Sequence, residues 1–453
     1  METILAKIVE AKRKWVFEKK RKFPLDIFKN EVKKANKDFY EALKSDKAIF
    51  ILECKKGSPS KGLIRKKFDL KEIASVYKNY ANAISVLTDE EFFMGSFANI
   101  GIVKNLVDQP ILCKDFFIDE YQVYLARYYQ ADAILLMLSV LGDEEYKALA
   151  KVARRLDMGI LTEVSTEDEL QRAIRLKARV IGINNRNLRD LSVDLNTTKL
   201  LAPKIPKDTI VISESGIYKN QQVRDLREHA NGFLIGSSLM AEKNLELAIR
   251  KIVYGFNKVC GLTSVENAQK AYDAGAVYGG LIFVESSPRY VNFDMAKTIV
   301  RGVKLSYVGV FKDEDLDKVV DYSYGLKLSA IQLHGNESQE YIDKLRSKIH
   351  KNCQIWKAYG IDKHLPEFLE NVDYHVLDTK VGDQIGGSGK SFDWGLIKDK
   401  KNIVLAGGLS SKNIAEAIKL ECSALDINSS VESKPGEKDE KKLKEVFDII
   451  KNY

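Results

Sequence analysis

With 453 residues, the chain is too long for one ordinary domain and suits two or three. Its 72 basic and 64 acidic residues give a mixed, soluble surface with a net charge of +8, and no run of roughly 18 uncharged apolar residues predicts a membrane span. The segment 1–10 lacks a signal-peptide cleavage pattern. Five cysteines without a CxxC pair argue against zinc and disulfides, so we expect a cytoplasmic protein.

The first 47 residues are rich in lysine and arginine. One interpretation is a nucleic-acid-binding arm. The other is a set of amphipathic helices whose basic side chains, Lys12 among them, lie on a solvated face. Apolar residues recur at helical spacing, at Ile4 and Ile8 and again from Phe28 to Leu43, and no basic motif interleaved with aromatic residues follows. We therefore favour the helices and expect no nucleic-acid partner.

From Ala48 onward, short apolar runs rich in β-formers alternate with helical stretches. These runs are apolar on both faces, which is typical of parallel strands covered by helices, and eight such units predict a closed (β/α)8 barrel. The predicted strands are 48–53, 83–88, 111–114, 133–138, 160–163, 180–184, 210–214 and 232–236.

A second series of eight strands begins near Asn257 with the runs KVCG and YGGLIFV and ends with IVLAG and ALDIN. Beyond the first interval, the spacings between strand ends match those of the first series within two residues, which indicates one architecture used twice. The predicted fold class is therefore α/β, with two tandem (β/α)8 TIM barrels. The predicted domains are a helical extension over 1–47, a first barrel over 48–254 and a second over 255–453.

Polar residues collect at the ends of the first eight strands, where (β/α)8 barrels hold their active sites. They are Glu53, Lys55, Lys114, Glu163, Asn184, Arg186 and Glu214. A rim of structural ion pairs is the alternative, but seven polar residues on one face favour a site. Lysines and glutamates in one mouth shift each other's pKa and can serve as acids and bases. The turns Ser215-Gly216 and Gly236-Ser237, after strands seven and eight, are candidates for phosphate binding.

The second series ends its strands in a similar way. Cys260 ends the first strand, Arg289 follows the second, His334 ends the fourth and Asp378 ends the sixth, while the last two close at Gly407-Gly408 and Asn428-Ser429. Cys260 is either a reactive thiol or inert core. His334 has no second ligand at metal-binding spacing, so we expect a hydrogen-bonding or structural role for it.

The segment Gly386 to Ser391, GGSGKS, resembles a phosphate loop at first sight. A Walker A loop requires glycine five residues before the GK glycine, and Gln384 stands there. We interpret the segment as a mobile glycine-rich loop that covers a ligand. No residue pattern calls for a metal or an organic cofactor.

Ordered motifs carry a family resemblance over essentially the whole chain. ILECKKGSPSKG (51–62), LCKDF (112–116), LTEVSTEDEL (161–170), IGINNRNL (181–188) and FLIGSSLM (233–240) resemble indole-3-glycerol-phosphate synthase. KVCGLTSVENA (258–268), GLIFVESSPRY (280–290), IQLHG (331–335), VLDT (376–379) and VLAGGL (404–409) resemble phosphoribosylanthranilate isomerase. The chain resembles the fused enzyme of tryptophan biosynthesis.

For the second half, the resemblance implies an Amadori rearrangement of N-(5-phosphoribosyl)anthranilate. Asp378 would be the general acid, Cys260 the general base, and Arg289 the partner of the anthranilate carboxylate. Gln332 and His334 of the IQLHG motif would contact substrate. Phosphate would lie at Gly386, Gly387, Gly407, Gly408, Asn428 and Ser429.

For the first half, the resemblance implies indole ring closure with loss of carbon dioxide and water. Lys114 would be the general acid and Glu163 would act in the dehydration. Lys55 and Arg186 would bind the substrate carboxylate, with Glu53 and Asn184 orienting the intermediate. Ser58, Glu214, Ser215, Gly216, Gly236 and Ser237 would complete the phosphate and substrate framework. The segment 1–47 would cap the barrel mouth.

One residue departs from the family pattern: Ser430 replaces a glycine, which puts the local backbone of the second phosphate site in question. Two other functions remain as alternatives. One is another aminosugar-phosphate isomerase, such as the related histidine-pathway step, which uses an aspartate pair where this chain has Cys260. The other is a non-enzymatic phosphosugar- or nucleic-acid-binding module. We expect a monomer that binds small phosphorylated anthranilate-ribose substrates.

Overall fold

The computed structural model describes residues 3–381, 384–385 and 391–451. The chain forms two compact units, one reaching Ile249 and the other beginning at Arg250. Each unit is built on a closed ring of eight parallel strands, which confirms the predicted fold class. The domain bounds 1–47, 48–254 and 255–453 stay predictions. No helix in the described part of the chain is long and apolar enough to cross a membrane.

The strands of the first barrel pair in chain order, and the last returns to the first through Leu52 and Ile235. Nearly every strand residue is buried, as expected for a parallel sheet covered by helices. A short hairpin of Gly57–Ser58 and Gly62–Leu63 follows the first strand. The strands are β1 Ile49–Cys54, β2 Ala83–Leu87, β3 Ile111–Lys114, β4 Ala133–Met137, β5 Gly159–Val164, β6 Val180–Asn184, β7 Ile210–Glu214 and β8 Gly232–Ile235.

Several helices of the first unit begin at side chains that cap the free amide groups of the first turn. Asp69, Asp119 and Thr166 each accept a hydrogen bond from a backbone N–H there, so the chain leaves each loop at a fixed residue. The helices are α1 Ile4–Lys22, α2 Leu25–Phe28, α3 Phe39–Ala42, α4 Leu70–Tyr77, α5 Ala98–Lys104, α6 Glu120–Tyr128, α7 Asp143–Arg155, α8 Glu167–Arg175, α9 Asn196–Leu201, α10 Asn220–Arg227, α11 Ser237–Met240 and α12 Leu245–Tyr254.

The N-terminal extension covers both ends of the first barrel. Helix α1 lies at the mouth, where Ile4 and Ile8 line a cavity with the strand-end residues. Helix α3 lies at the opposite end: Phe39 packs on Gly159, the first residue of β5, and the Tyr40 hydroxyl accepts a hydrogen bond from the amide of Ile160. The expectation that the whole extension caps the mouth is therefore wrong for α3, because its aromatic pair closes the amino end of the sheet.

The second barrel has the same strand order and closes where β13 pairs with β14. Its amino end is filled by the rings of Phe256, Tyr278, Trp356 and Tyr374, which lie within 5.7 Å of their neighbours in the cluster. The strands are β9 Asn257–Val259, β10 Tyr278–Ile282, β11 Ser306–Phe311, β12 Ala330–Leu333, β13 Gln354–Ile361, β14 Tyr374–Val381, β15 Ile403–Leu405 and β16 Ala424–Ile427.

Helices connect most strands of the second barrel, again with side-chain caps at Ser264, Asn292 and Ser338. They are α13 Val265–Ala274, α14 Phe293–Gly302, α15 Leu316–Gly325, α16 Gln339–Lys348, α17 Ile414–Lys419 and α18 Glu440–Lys451. Residues 362–373, between β13 and β14, form no helix. Between β14 and β15, the described residues include the two-residue strand Gln384–Ile385, which pairs antiparallel with the end of β14, and the 3₁₀ turn Trp394–Leu396.

Candidate active sites

Lys114 lies at the centre of the first barrel's mouth. It is the last residue of β3, and its Nζ lies 3.0 Å from Glu163 Oε2 and 3.2 Å from Glu214 Oε2. Burial by itself lowers the pKa of Lys114, but Glu163, Glu214 and Glu53 outweigh this effect and raise it above the usual value. The lysine is therefore held as a cation between carboxylates at the open end of the ring.

Two further contacts complete this polar cluster. Lys55 Nζ lies 2.5 Å from Glu53 Oε1, and Asn184 Nδ2 donates to Glu163 Oε1 over 3.0 Å. Burial raises the pKa of Glu214 to about 8; Lys114 opposes this effect, and the carboxylates Glu163 and Glu53 add to it. The cluster therefore combines a fixed ammonium with a carboxyl group that titrates near neutral pH, which is the equipment of acid–base chemistry.

Two adjoining cavities, of 90 Å³ and 60 Å³, bring together all the first-barrel residues predicted from the sequence. Glu53, Lys55, Lys114, Arg186, Ser215 and Ser237 line both. Ser58, Glu163 and Asn184 line the larger one, and Glu214, Gly216 and Gly236 the smaller. The smaller cavity lies at the glycine-serine turns, where Ser215 and Gly216 have φ of 68° and 84°.

Glycines make room for the two innermost carboxylates. A Cβ built on Gly182 would collide with Glu214 Oε1, and one on Gly236 would collide with Glu53 Oε1. Gly182 was not among the predicted site residues. The signal was a glycine within an apolar strand, which often marks a close approach of another group.

The larger cavity has an apolar wall that sequence reasoning missed. Phe93 and Phe116, with ring centroids 6.1 Å apart, line it together with Ile8 and Leu188. These residues come from helix α1 and from three different loops, so no local pattern groups them. An apolar wall with two aromatic rings beside a charged cluster suits a substrate that carries an aromatic ring.

Lys12 is not on a solvated face. Its side chain is 3% exposed, and its Nζ lies 2.7 Å from both Asp89 Oδ2 and Asp115 Oδ1. Asp115 follows Lys114 directly and also accepts a hydrogen bond from Thr88. Burial lowers the pKa of Lys12, but the two aspartates outweigh it and raise the pKa, so the ammonium stays charged and fixes α1 over the mouth.

In the second barrel, Cys260 and Asp378 line one cavity of 290 Å³. Cys260 follows β9, and Asp378 lies in β14, five strands along the ring in one direction and three in the other. Burial and the neighbouring Asp426 raise the pKa of Asp378 to about 7. Burial raises the pKa of the Cys260 thiol, and Lys258 acts against this effect. The cavity therefore holds a carboxyl group that is partly protonated near pH 7, and a thiol.

The other second-barrel residues predicted from the sequence line the same cavity where the structure describes them. They are Arg289, Gln332, His334, Gly407, Gly408, Asn428 and Ser429. Gln332 Nε2 lies 3.2 Å from His334 Nδ1, which fits the expected hydrogen-bonding role of the histidine. Gly386 and Gly387 lie outside the described residues.

Arg289 is held by a residue that the sequence did not indicate. The Glu432 carboxylate accepts hydrogen bonds from Arg289 Nε and from Arg289 Nη2, the latter over 2.7 Å. Lys438 Nζ lies 2.8 Å from the same carboxylate. Lys438 also donates to Asn428 Oδ1 over 3.0 Å. The hairpin that follows β16, formed by Glu432–Lys434 and Glu437–Lys438, thus orients the arginine and one residue of the predicted phosphate turn.

Ser430 fits its place without backbone strain. It lies in the 3₁₀ turn Ser429–Val431 and its φ is not positive. Its hydroxyl donates a hydrogen bond to the carbonyl of Leu409. The serine that replaces the family's glycine therefore does not have to adopt the left-handed backbone conformation that favours glycine.

The fold and the two sites define a fused enzyme of two TIM barrels, each with charged acid–base groups at the open end of its ring. The sequence model of the indole-3-glycerol phosphate synthase family matches residues 5–252, and that of N-(5'-phosphoribosyl)anthranilate isomerase matches residues 257–449.

Similar proteins extend over the full length. The tryptophan biosynthesis protein TrpCF of Vibrio cholerae is 58% identical over 454 aligned positions, covering 100% of this chain and 97% of the relative. TrpCF of Vibrio parahaemolyticus is 59% identical, and the alignment covers 100% of this chain and 95% of the relative. TrpCF of Salmonella typhi is 53% identical, and the alignment covers 100% of both chains.

The chain belongs to the family of fused indole-3-glycerol phosphate synthases and phosphoribosylanthranilate isomerases. It catalyses the isomerase and synthase steps of tryptophan biosynthesis, and the alternative of a histidine-pathway isomerase is not favoured.

Proposed function

We propose that Asp378 and Cys260 carry the Amadori rearrangement in the second barrel. Opening the ribose ring requires a proton on the ring oxygen, and the following enolisation removes the proton from C2. Asp378, whose pKa is raised to about 7, suits the first task, and a Cys260 thiolate suits the second. The observation that carries the proposal is that both line one cavity.

Neighbouring groups would hold the substrate of this step. Arg289, oriented by Glu432, would bind the anthranilate carboxylate with its planar donor group. Gln332 and His334 would hydrogen-bond the sugar. Backbone N–H groups at Gly407-Gly408 and Asn428-Ser429 would receive the phosphate, as loops after the last two strands of such barrels often do. Gly386 and Gly387 complete this set as a prediction from the sequence.

In the first barrel, we propose that Lys114 is the general acid of ring closure. Its ammonium would polarise the ketone carbonyl that the aromatic carbon attacks, and the ring then forms with loss of the carboxylate as carbon dioxide. Glu163, 3.0 Å from Lys114, would serve as acid and base in the loss of water. The polar cluster beside the apolar wall of Phe93 and Phe116 supports this assignment.

The remaining polar residues of this mouth would bind and orient the intermediate. Lys55 and Arg186 are the cations for the substrate carboxylate, while Glu53, Asn184 and Glu214 hold the reacting groups in place. The phosphate would lie at the smaller cavity, on the turns at Ser215-Gly216 and Gly236-Ser237 and near Ser58.

The experiment supplies phosphoribosylanthranilate to the purified chain and follows indole-3-glycerol phosphate by fluorescence. Asp378→Asn should leave the first substrate unconsumed. Glu163→Gln should instead accumulate the isomerised intermediate, 1-(2-carboxyphenylamino)-1-deoxyribulose 5-phosphate. Accumulation of the same compound by both variants would contradict the assignment.

We also propose that the protein works as a monomer in the cytoplasm, without a nucleic-acid partner. The five cysteines, none in a CxxC pair, suit a reducing compartment, and Lys12 of the basic segment is occupied by two aspartates. Light scattering on the eluted protein tests the monomer, and a gel shift at two salt concentrations tests nucleic-acid binding.

A further inference from the structure

The second barrel contains a buried ion pair directly beside its thiol. Lys258, on β9, is 0% exposed, and its Nζ lies 2.6 Å from Asp426 Oδ2 on the adjacent strand β16. The two residues are register partners, so the pair is fixed by the sheet itself. Burying both charges is expensive, and such pairs persist where a function needs them or where good geometry offsets the cost.

Lys258 and Cys260 lie side by side inside the ring. They are two residues apart at the carboxyl end of β9 and therefore share a face. A Cβ built on Gly280 of the neighbouring strand would lie 2.6 Å from Cys260 Sγ and 2.9 Å from Lys258 Cε, so both side chains pass over the same glycine. The cation of Lys258 lowers the pKa of the Cys260 thiol, against the effect of burial.

Asp426 faces the other reacting group. It lines the cavity together with Cys260 and Asp378, and its Oδ1 is buried without a hydrogen-bond partner among the described residues. Gly407, which follows the intervening strand β15, would bring a Cβ to 3.0 Å from Asp378 Oδ1. Asp426 and Asp378 line the same cavity, and the charge of Asp426 raises the pKa of the Asp378 carboxyl group.

We propose that Lys258 and Asp426 are positioning residues that divide protonation between the two groups of the isomerase: the ammonium favours the Cys260 thiolate, and the carboxylate keeps Asp378 protonated. The inference rests on the proposed roles of Cys260 as base and Asp378 as acid. Within the part of the chain that the structure describes, the charged groups acting most strongly on Cys260 are Lys258 two positions before it, Asp426 on β16 and Lys438 on the hairpin after β16. Those facing Asp378 are Asp426 and Lys258.

The direct test is the pH dependence of Cys260 alkylation by iodoacetamide, read by mass spectrometry of the Cys260 peptide, because the thiolate is the reacting form. Lys258→Met should move the alkylation curve upward by about one pH unit, since a close cation accounts for shifts of this size. The matched control is Lys357→Met, another buried lysine of this barrel, whose Nζ lies 3.0 Å from Glu337. It should leave the curve in place.

The effect of Asp426 is read from the isomerase itself. In Asp426→Asn the loss of a neighbouring negative charge lowers the pKa of Asp378, so the acid limb of the kcat/KM profile should move below its wild-type position near pH 7. The double variant Lys258→Met/Asp426→Asn leaves no unpaired charge buried and keeps the test available if a single variant does not fold. It should show both shifts, because Lys258 acts on the thiol more strongly than Asp426 does.

Alkylation curves of Lys258→Met and the double variant that coincide with wild type would overturn the inference, as would an acid limb unmoved in Asp426→Asn. Failure of the proposed function is distinguishable: Cys260→Ala would then keep its isomerase activity while the alkylation shift persists. Synthase activity of the same chains measures the amount of intact first barrel in every sample.

Discussion

The ammonium of Lys114 lies 3.0 Å from the carboxylate of Glu163, although 49 positions separate the two residues in the chain. The sheet brings them together, since β3 and β5 end at the same rim of the first barrel with only β4 between them. The contact suits the proton transfer proposed for these two groups, and Asn184 donates a hydrogen bond to the second oxygen of Glu163.

The contact predicts a selective loss on removing the carboxylate charge. Glu163→Gln should lower the synthase kcat about 10²- to 10⁴-fold, the usual contribution of a positioned acid–base group. The isomerase, whose residues lie in the other barrel, should be unaffected. Glu167→Gln, four residues later and exposed, is the control and should retain full synthase activity in a steady-state assay.

The glycines that pack against the carboxylates predict that a purely steric change lowers activity. Gly182→Ala should displace the Glu214 side chain and lower synthase kcat while the far-ultraviolet circular dichroism stays native. Gly101→Ala, in helix α5 with open space around its Cβ, should keep activity and stabilise the chain by about 0.5 to 1 kcal/mol. Equal synthase activities of Gly182→Ala and Gly101→Ala would contradict a steric role of Gly182 in placing Glu214.

Lys12 predicts that the docking of α1 affects substrate binding. Lys12→Met leaves Asp89 and Asp115 buried without their cation, which costs about 3 to 5 kcal/mol when a buried pair is broken. Because Ile4 and Ile8 of the same helix line the cavity, synthase KM should rise. The control is Lys14→Met: the Lys14 side chain is 73% exposed and pairs with Glu10, so its loss should leave KM unchanged. A wild-type KM in Lys12→Met would show that α1 docks without this lysine.

The raised pKa of Asp378 predicts the acid limb of the isomerase pH profile. On the proposed roles, the active form carries a protonated Asp378 and an ionised Cys260. Because the pKa of Asp378, about 7, lies below that of the buried thiol, this form is a constant minor fraction between the two pKa values. kcat/KM should therefore fall below pH about 7, where the thiolate is lost without a gain of protonated Asp378, and fall again above the pKa of Cys260. A profile with no break near pH 7 would contradict the assignment.

The strands and the strand-end residues were predictable from the sequence because parallel strands buried on both faces are apolar throughout. Charge at their last positions, as at Lys114 and Glu163, is then a visible exception. The equal spacing of the two series predicted the repeat, and the structure confirms all sixteen strands.

Other features depend on contacts between distant segments. Lys12 lies in a basic helix whose sequence pattern is typical of an exposed polar face. Its burial results from the approach of Asp89 and Asp115, which belong to distant segments of the chain. Glu432, which holds Arg289, lies in a short hairpin without a distinctive motif. The packing of Phe39 at the amino end of the first barrel could not be predicted either, because it depends on Gly159 being the first residue of the strand that Phe39 contacts. Sequence periodicity reports which face of an element is buried, but it does not identify the partner.

The central claim is that two separate sites, each with its own acid–base groups, act in succession. The most direct measurement mixes Cys260→Ala with Lys114→Ala and supplies phosphoribosylanthranilate. Each variant alone should form no indole-3-glycerol phosphate, and the mixture should form it, because each supplies the step that the other lacks. Product formation by either variant alone, or none by the mixture of folded variants, would contradict the account.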